Sequence, residues 1–318
     1  MQNPSFDILM AVYNNEEYIR EQLDSLIHQT YPHFRIVIRD DASSDTSALI
    51  IQEFIKKYPG KIHFLKGEKN VGALGNFAAL MLETRANYVM FCDADDIWLP
   101  NKVQESLALI QKNEALFGAK TPLLIHTDLH VVDKELKTLS PSFWHYSQLN
   151  PNLALDLNRL VSQNVITGCT MLINKPLLEL AIPIPHGAIM HDWWIGLVAS
   201  SFGRIDLLPK PTILYRQHGK NDTGAKDCKS MRGRWNHVKK GFFQNGRLQM
   251  RNRLKKTIDQ ADLFLNRYEK QLNDKQRMIV KNYAALNKVS SLERRYLFLK
   301  YRYFKNSFAK NAAMFLLL

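Results

Sequence analysis

Short apolar runs alternate with helical patterns over about the first hundred residues, and this alternation constrains the fold more than any other feature. The apolar runs have the length of buried strands, and they are Phe6 to Val12, Phe34 to Ile38, Ile62 to Leu65 and Tyr88 to Cys92. Between them, apolar residues recur with helical spacing, as in Glu16 to Gln29. Strands that alternate with helices in this way form βαβ units with right-handed crossovers. We therefore predict an α/β fold with a mostly parallel sheet flanked by helices.

Polar clusters follow three of the predicted strands. They are Tyr13-Asn14-Asn15, Asp40-Asp41-Ala42-Ser43 and Asp93-Ala94-Asp95-Asp96. The carboxyl ends of parallel strands lie along one edge of a sheet, and ligands of open α/β folds bind at that edge. A single cluster would be ordinary loop chemistry, but three of them predict a site in one crevice.

The third cluster places carboxylates directly after a buried strand. An unpaired charge inside a core costs on the order of several kcal/mol or more, so Asp93, Asp95 and Asp96 need a cation or solvent. Hard oxygen ligands at this spacing suit Mg²⁺ or Mn²⁺. Taken alone, the triplet is equally compatible with a solvated acidic turn in which Asp96 caps the next helix.

The charge of the chain is asymmetric. The formal net charge of the 318 residues is +13. Residues 216–318 contain 25 Lys or Arg and 7 Asp or Glu, so the first two thirds are mildly acidic and the last third is strongly basic. Such asymmetry favours a polyanion or an anionic membrane surface as a partner of the last third.

The rest of the composition fits a globular protein of a reducing compartment. The three cysteines are too few and too scattered for a disulfide framework or a cysteine-based zinc site. Because Met1 to Asp7 is short and polar, we expect no signal peptide. No stretch approaches the roughly 18 apolar residues of a membrane span.

The strand-helix alternation loosens after Asp96, where short strands are predicted at Leu123 to His126 and Ile213 to Tyr215. Residues 226–318 contain no proline and are rich in charge, so we predict long charged helices there. The sequence therefore predicts an α/β domain in residues 1–225 and a basic, mainly helical C-terminal extension in residues 226–318.

Seven segments, in order along the chain, resemble one enzyme family. ILMAVYNNEEYIREQLDSLIHQTY, RDDASSD, NVGALGNF and CDADD resemble the family 2 glycosyltransferases, which have the Rossmann-like GT-A fold. TGCTM, MHDWW and YRQHG resemble a bacterial subgroup that includes polysaccharide rhamnosyltransferases. The resemblance covers roughly residues 5–225, and the ordered set is far more specific than any one segment.

The resemblance implies an inverting glycosyltransferase that depends on Mg²⁺ or Mn²⁺. Its donor would be a nucleotide sugar, with dTDP-L-rhamnose favoured by the subgroup and a UDP-hexose as the alternative. Its acceptor would be a saccharide, lipid-linked and part of a growing bacterial surface polysaccharide such as O-antigen, lipopolysaccharide or capsule. We therefore expect a cytoplasmic enzyme bound peripherally to the inner face of the cytoplasmic membrane. For the basic extension, packing on the catalytic domain remains the alternative to membrane binding.

The resemblance assigns residues of four motifs to the donor nucleotide. Asp41 would accept a hydrogen bond from the imide N–H of the base, and Tyr13 would stack on the base. Gly72 would let the backbone approach the ligand closely. The predicted set is Ala11, Tyr13, Asn15, Asp41, Ser43, Gly72, Asn76, Asp93 and Ala94. Ordinary structural roles stay open, as a turn or cap for Asp41 and core packing for Tyr13.

The same resemblance predicts the cation ligands. Asp95 would bind the metal directly, and Asp93 would reach the ribose or a metal-bound water. His218 would supply a late ligand or a phosphate contact, although an isolated histidine is often only a surface or packed residue. Arg216 and Lys220 are nearby candidates for pairing with the diphosphate.

Asp192 is the predicted general base. An inverting transfer needs a group that takes the proton from the acceptor hydroxyl as the new bond forms, and the family places an acid here. The family pattern is often Glu-Asp, whereas this chain has His191-Asp192, which makes His191 a possible helper. The alternative role for Asp192, a helix N-cap before Trp193, is compatible with catalysis.

The acceptor side is predicted from aromatic and small residues near these acids. Sugar rings present apolar C–H faces that pack on aromatic rings. The predicted set is Trp98, Thr167, Gly168, His191 and Trp193. At least one of Trp193 and Trp194 is expected in the core, and Cys169 is expected to be a small buried hydrophobe.

Two other function classes compete with this interpretation. A sugar-phosphate nucleotidyltransferase also uses a doubly wound domain and Mg²⁺, but it needs a Gly-rich basic loop after the first strand, which the segment from Tyr13 to Glu17 lacks. A non-enzymatic nucleic-acid binder would explain the basic third but not the acidic crevice, and no binding motif is present. No nucleic-acid partner is therefore expected.

Overall fold

The computed structural model describes residues 5–218 and 240–318, without the side chains of residues 240–247. The proposed domain boundary after residue 225, Lys220 and Cys228 lie outside the described residues. The strands are Phe6–Val12 (β1), Arg35–Asp40 (β2), Ile62–Lys66 (β3), Tyr88–Cys92 (β4), Ile97–Trp98 (β5), Leu123–Asp133 (β6), Thr138–Ser140 (β7), Leu172–Asn174 (β8) and Arg204–Gln217 (β9).

Helices follow most of the strands and form a continuous series at the C-terminal end. They are Ile19–Ile27 (α1), Ser47–Lys57 (α2), Gly72–Glu83 (α3), Lys102–Phe117 (α4), Phe143–Tyr146 (α5), Leu157–Leu160 (α6), Lys175–Ala181 (α7), His191–Phe202 (α8), Lys240–Tyr268 (α9), Asp274–Ala284 (α10), Ser291–Lys300 (α11) and Phe308–Leu317 (α12). Two 3₁₀ turns, Pro151–Leu155 and Gly168–Thr170, lie in the second half of the α/β region. No helix in residues 5–218 or 240–318 combines the length and apolar character needed to cross a bilayer.

One mixed sheet contains these strands in the order β3-β2-β1-β4-β8-β6-β9-β5, and β7 pairs with β6. The first four strands are parallel, as the strand-helix alternation predicts. The second half departs from this pattern because β8 runs antiparallel to both β4 and β6. An antiparallel strand can pair without a long crossover connection. The three-residue β8 can therefore lie between β4 and β6 and join the two halves of the sheet.

The two faces of the sheet carry separate apolar cores. Side chains alternate along β1, so Ile8 and Met10 pack on one face and Leu9 packs on the other. Helices α1, α2 and α4 cover the first face. Helices α3, α7 and α8 cover the second face and share their core with α9, α10, α11 and α12.

The basic C-terminal region is helical, as predicted, and it packs directly on the α/β region. Trp194 of α8 lies 5.5 Å from the ring of Phe264 and 6.0 Å from the ring of Tyr268, measured between centroids. Both partners belong to α9 and are buried. Helix α9 therefore packs on the α/β region.

Candidate active site

A cleft of about 750 Å³ opens at the carboxyl ends of β1, β2 and β4. It is lined by Tyr13 and Asn15 of the first polar cluster, by Asp41 of the second, and by Asp93 and Asp95 of the third. The predicted convergence of the three clusters is therefore confirmed.

Asp41 organises one wall of this cleft. Its buried carboxylate accepts hydrogen bonds from the backbone N–H groups of Val71, at 3.0 Å, and Gly72, at 2.9 Å. Arg39 donates to the same carboxylate at 2.7 Å and to Asn76 Oδ1 at 3.1 Å. Gly72 has a φ of +75°, a left-handed conformation that favours glycine. Asp41 therefore fixes the loop before α3 while still facing the cleft.

Most of the other residues predicted to bind the nucleotide line the cleft, but Ser43 does not. Tyr13 is 49% exposed, so its ring is free of the core, and Ala11 and Ala94 also line the cleft. Ser43 is not among the lining residues. Its hydroxyl donates to Asp40 at 2.5 Å and accepts from the Asn14 N–H at 2.9 Å, so it supports the turns on either side.

His218 is brought to the acidic turn from the end of β9. Its Nε2 atom lies 2.8 Å from Asp95 Oδ2, and its ring stacks on Tyr18 with centroids 4.7 Å apart. Arg216 does not line the cleft. It is buried, pairs with Glu21 and donates to the Asp95 carbonyl at 3.1 Å. Arg216 therefore positions the turn that carries Asp95, instead of facing a diphosphate as expected.

Asp96 is not a helix cap, which corrects one of the two roles considered for the acidic triplet. Helix α4 begins at Lys102 with Asn101 as its N-cap residue. Asp96 is buried and accepts from the Arg216 N–H at 3.2 Å. Burial, followed by repulsion from Asp95 and Asp93, raises the pKa of Asp96 well above its usual range. The neutral carboxyl form is favoured at this position.

The donor set at the acidic turn fits a hard divalent cation. Asp93 and Asp95 supply carboxylate oxygens beside the cleft, and His218 supplies an imidazole nitrogen next to Asp95. Ligand atoms of Asp93, Asp96 and Cys169 also lie within 4.8 Å of one another. Carboxylate oxygens suit Mg²⁺ and Mn²⁺ better than a softer thiolate does, so Asp93, Asp95 and His218 stay the predicted cation ligands.

Asp192 lies in the first turn of α8 and lines the cleft. The N-cap of this helix is Met190, so the N-cap role considered for Asp192 is not observed. Its Oδ1 accepts from the Trp193 N–H at 2.5 Å. Burial raises the pKa of Asp192 to about 7, although hydrogen bonds from Trp193, Gly168 and Asn164 act in the opposite direction. A carboxyl group with this pKa is suited to proton transfer near neutral pH.

His191 lies beside Asp192 and lines the same cleft. Its buried ring packs against Phe77 and Phe91, with centroids 4.0 and 5.1 Å away. Neither ring nitrogen has a hydrogen-bond partner among the described residues. Burial lowers the pKa of His191 to about 3, so the ring is neutral at physiological pH.

Gly168 makes room for this histidine. A Cβ atom at Gly168 would lie 2.8 Å from His191 Nε2, closer than real Cβ atoms come. Thr167, Gly168 and Trp193, which the sequence predicts for the acceptor side, all line the cleft. Trp193 is fixed by a 2.7 Å hydrogen bond from its Nε1 to the Leu160 carbonyl.

Trp98 is the exception among the residues predicted for the acceptor side. It is buried in the core and is not among the lining residues. Its short strand pairs with β9, and Lys102 Nζ lies 4.6 Å from the centre of its ring. Trp194 is also buried, and its indole donates to the Ala181 carbonyl at 3.1 Å. Cys169 is buried and free, as expected.

Several residues of the site carry no signal in the sequence pattern. Arg39 ties Asp41 to Asn76, and Asn164 braces the loop beside Asp192 through two hydrogen bonds with Ile166, of 2.8 and 3.0 Å. The other lining residues not predicted are Val12, Asn70, Ala73, Phe77, Phe143, Leu149, Val165, Ile166, Ile189, Met190 and Tyr215. Asn164 precedes the TGCTM segment by three residues, and only that closeness could have suggested it.

Solved structures with the same arrangement are GT-A glycosyltransferases. The structure of Staphylococcus aureus TarS 1–349 in complex with UDP-GlcNAc aligns with a TM-score of 0.54 and 16% identity, over 92% of this chain and 83% of that chain. The mannosyltransferase PcManGT from Pyrobaculum calidifontis, in complex with GDP-Man and Mn²⁺, gives a TM-score of 0.52 and 13% identity over 99% and 88%. At these identities the likeness shows the fold, and the fold of this chain is GT-A.

A family model described as glycosyl transferase family 2 matches residues 7–178, more than half of the chain. This protein belongs to glycosyl transferase family 2. The dTDP-rhamnosyl transferase RfbG of Shigella flexneri is 30% identical over 68% of this chain and 74% of its own length. The match to 28% identical mycobacterial relatives spans only 58% of their length.

Proposed function

We propose that this glycosyltransferase inverts the transferred sugar centre, with Asp192 as the general base. The observation that carries the proposal is the position of Asp192 on the wall of the cleft that also holds the acidic turn, and the raised pKa of Asp192 supports it. Four carboxylates line this cleft among the described residues. Asp41 holds the loop before α3 and is proposed to meet the nucleotide base, and Asp93 and Asp95 belong to the proposed cation site. Asp192 remains for proton transfer, and a single displacement with one base inverts the reacting carbon.

In this mechanism Asp192 accepts the proton of the acceptor hydroxyl while the oxygen bonds to the sugar carbon. The bond between that carbon and the nucleotide diphosphate breaks in the same step. Asp93, Asp95 and His218 would hold Mg²⁺ or Mn²⁺, which when bound stabilises the negative charge that develops on the departing diphosphate. The Arg216 side chain donates a hydrogen bond to the backbone carbonyl of Asp95 and so holds Asp95 in place.

The nucleotide is proposed to lie along the Asp41 wall. Asp41 would accept from the imide N–H of the base, and Tyr13 would stack on it. Uracil and thymine both carry this imide, so both UDP- and dTDP-sugars fit. The 30% identity to RfbG supports dTDP-L-rhamnose as the donor. A UDP-hexose is the second candidate donor. TarS, which shares the fold of this chain, was solved in complex with the UDP-sugar UDP-GlcNAc.

The acceptor is proposed to be a lipid-linked saccharide of a bacterial surface polysaccharide. Thr167, Gly168 and Trp193 would form the acceptor side of the cleft. A lipid-linked acceptor is confined to a membrane, so the enzyme would work in the cytoplasm, bound at the inner face of the cytoplasmic membrane. The strongly basic last third of the chain supports that location.

A donor panel tests the proposal. The full chain is incubated with dTDP-L-rhamnose, UDP-glucose, UDP-galactose and UDP-GlcNAc, with and without Mn²⁺, and nucleotide release is measured. We expect metal-dependent release of dTDP from dTDP-L-rhamnose above all other donors. Preferential release of UDP would replace the rhamnosyl assignment by the hexosyl one. No release from any donor, with or without an added saccharide acceptor, would contradict the proposed function.

A further inference from the structure

The last two helices expose large apolar side chains to solvent. On α11, Leu292, Tyr296 and Leu299 are exposed, with Leu292 at 79%. Their spacing of four and three residues places them on one face of the helix. The opposite side of α11 contributes Leu297 and Phe298 to the core. The outer face of this helix is therefore apolar where a surface helix is ordinarily polar.

Helix α12 repeats this arrangement. Phe308 is 89% exposed and Leu316 is 71% exposed. Ala312 is exposed midway between them, at intervals of four residues, so the three share one face. Met314, on the other side, is buried in the core.

The two exposed faces lie side by side. The Ser291 hydroxyl, at the start of α11, donates to the Leu318 carbonyl, at the end of α12, over 2.6 Å. One turn further along, the Arg295 guanidinium lies 5.4 Å from the centre of the Phe315 ring. The helices are therefore antiparallel neighbours. We call their combined outer surface the apolar face, and it consists of Leu292, Tyr296, Leu299, Phe308 and Leu316.

Exposed basic residues border the apolar face at one end. Residues 290–318 contain six Lys or Arg and one acid, Glu293. The six basic residues are Arg294, Arg295, Lys300, Arg302, Lys305 and Lys310. Lys300 and Arg302 are exposed near the end of α11, and Lys310 is exposed near the start of α12. Apolar side chains bordered by Lys and Arg match the interface of an anionic bilayer, where rings and aliphatic chains enter the headgroup region and cations meet lipid phosphates.

We propose that the apolar face docks this enzyme onto an anionic lipid bilayer, with α11 and α12 lying along the surface. A second copy of the chain fits less well, because a symmetric dimer through this face would bring two patches of like charge together. The benefit of this docking rests on the proposed function, because an enzyme on the bilayer would meet a lipid-linked acceptor that is confined to the membrane. The docking itself needs no catalysis, so it is tested separately.

The test measures sedimentation of the full chain with vesicles of phosphatidylcholine alone and of phosphatidylcholine with phosphatidylglycerol. We compare the wild type with a variant that carries Leu292→Ser, Phe308→Ser and Leu316→Ser, and with a second variant that carries Lys300→Glu and Lys310→Glu. Leu116→Ser is the matched control, because Leu116 is an exposed apolar residue on α4. Circular dichroism and donor hydrolysis report whether each variant is folded and active.

We expect binding to the anionic vesicles at low salt, partial release at high salt and at least about tenfold weaker binding for both variants. The Leu116→Ser control should bind as the wild type does. Wild-type protein that ignores anionic vesicles, or folded variants that bind as tightly as the wild type, would overturn the proposal. Self-association of the wild type that the serine variant abolishes, without vesicle binding, would instead assign the face to a second copy. Loss of donor hydrolysis in all proteins alongside normal vesicle binding would refute the proposed function and leave the docking intact.

Discussion

The Nε2 atom of His218 lies 2.8 Å from Oδ2 of Asp95, although the two residues are 123 positions apart in the sequence. The contact joins the end of β9 to the turn after β4, on opposite halves of the mixed sheet. Tyr18 stacks on the face of the imidazole ring, with ring centroids 4.7 Å apart. A carboxylate and an imidazole held together in this way form a pair that can share one cation.

We expect Asp95→Asn to reduce nucleotide release from the donor almost to background. The neutral amide keeps the shape of the side chain but loses the charge that a divalent cation needs. The assay is nucleotide release with Mn²⁺ present and with excess EDTA. Asp274→Asn is the control, because that carboxylate is 93% exposed and lies on α10. Full activity of Asp95→Asn, or of the wild type in EDTA, would rule out the metal role.

The rate of transfer should rise with pH and level off above about 7. Asp192 accepts a proton only when it is ionised, and burial raises its pKa to about 7. Below that value, kcat/KM should fall about tenfold per pH unit, as for any single essential base. The measurement is kcat/KM from pH 5.5 to 8.5, with donor affinity followed over the same range. A flat profile between pH 5.5 and 7 would show that no group with this pKa limits the reaction.

Asp192 should also lower the stability of the protein at high pH. Because its pKa is raised on folding, the native state binds this proton more tightly than the unfolded chain does. The ionised group is therefore destabilising above about pH 7, and the penalty disappears as pH falls toward about 4, the value of a free aspartate. We expect Asp192→Asn to raise Tm at pH 8 by more than it does at pH 5. An equal change in Tm at both pH values would contradict the raised pKa.

Gly168→Ala should be costly only while His191 is present. The added methyl group would lie 2.8 Å from His191 Nε2, and such overpacking costs about 1 to 3 kcal/mol. Replacing the ring by His191→Ala should remove most of this penalty in the double variant. Urea unfolding of the wild type, the two single variants and the double variant gives the coupling energy. Additive effects would show that Gly168 is needed for another reason.

The sequence predicts the parallel half of the sheet, β1 to β4, in which strands alternate regularly with helices along the chain. Strand β4 begins at Tyr88 and ends at Cys92, as predicted, because a buried parallel strand is a continuous apolar run and here it ends at an acid. By contrast, β9 was expected only from Ile213 to Tyr215 but extends over Arg204–Gln217. It contains Pro209 and Pro211, which lack the N–H of a ladder and coincide with shifts of register against β6.

The site was predictable where a residue follows a strand directly, and not where distant segments meet. Asp41, Asp93 and Asp95 follow strand ends and line the cleft. The predictions for Trp98 and Asp96 were wrong because both residues are buried by contacts with β9. Strand β5, which contains Trp98, pairs with β9, and Asp96 accepts a hydrogen bond from the Arg216 N–H of β9. No local pattern contains that long-range pairing.

The most direct test of the central claim compares donor binding with sugar transfer in Asp192→Asn. The amide can still accept from the Trp193 N–H, so the start of α8 should keep its structure. We predict an unchanged donor affinity by calorimetry in the presence of Mn²⁺ and a transfer rate at saturating donor reduced at least about a hundredfold. Normal transfer at saturation, with donor binding lost instead, would contradict the assignment of Asp192 as the base.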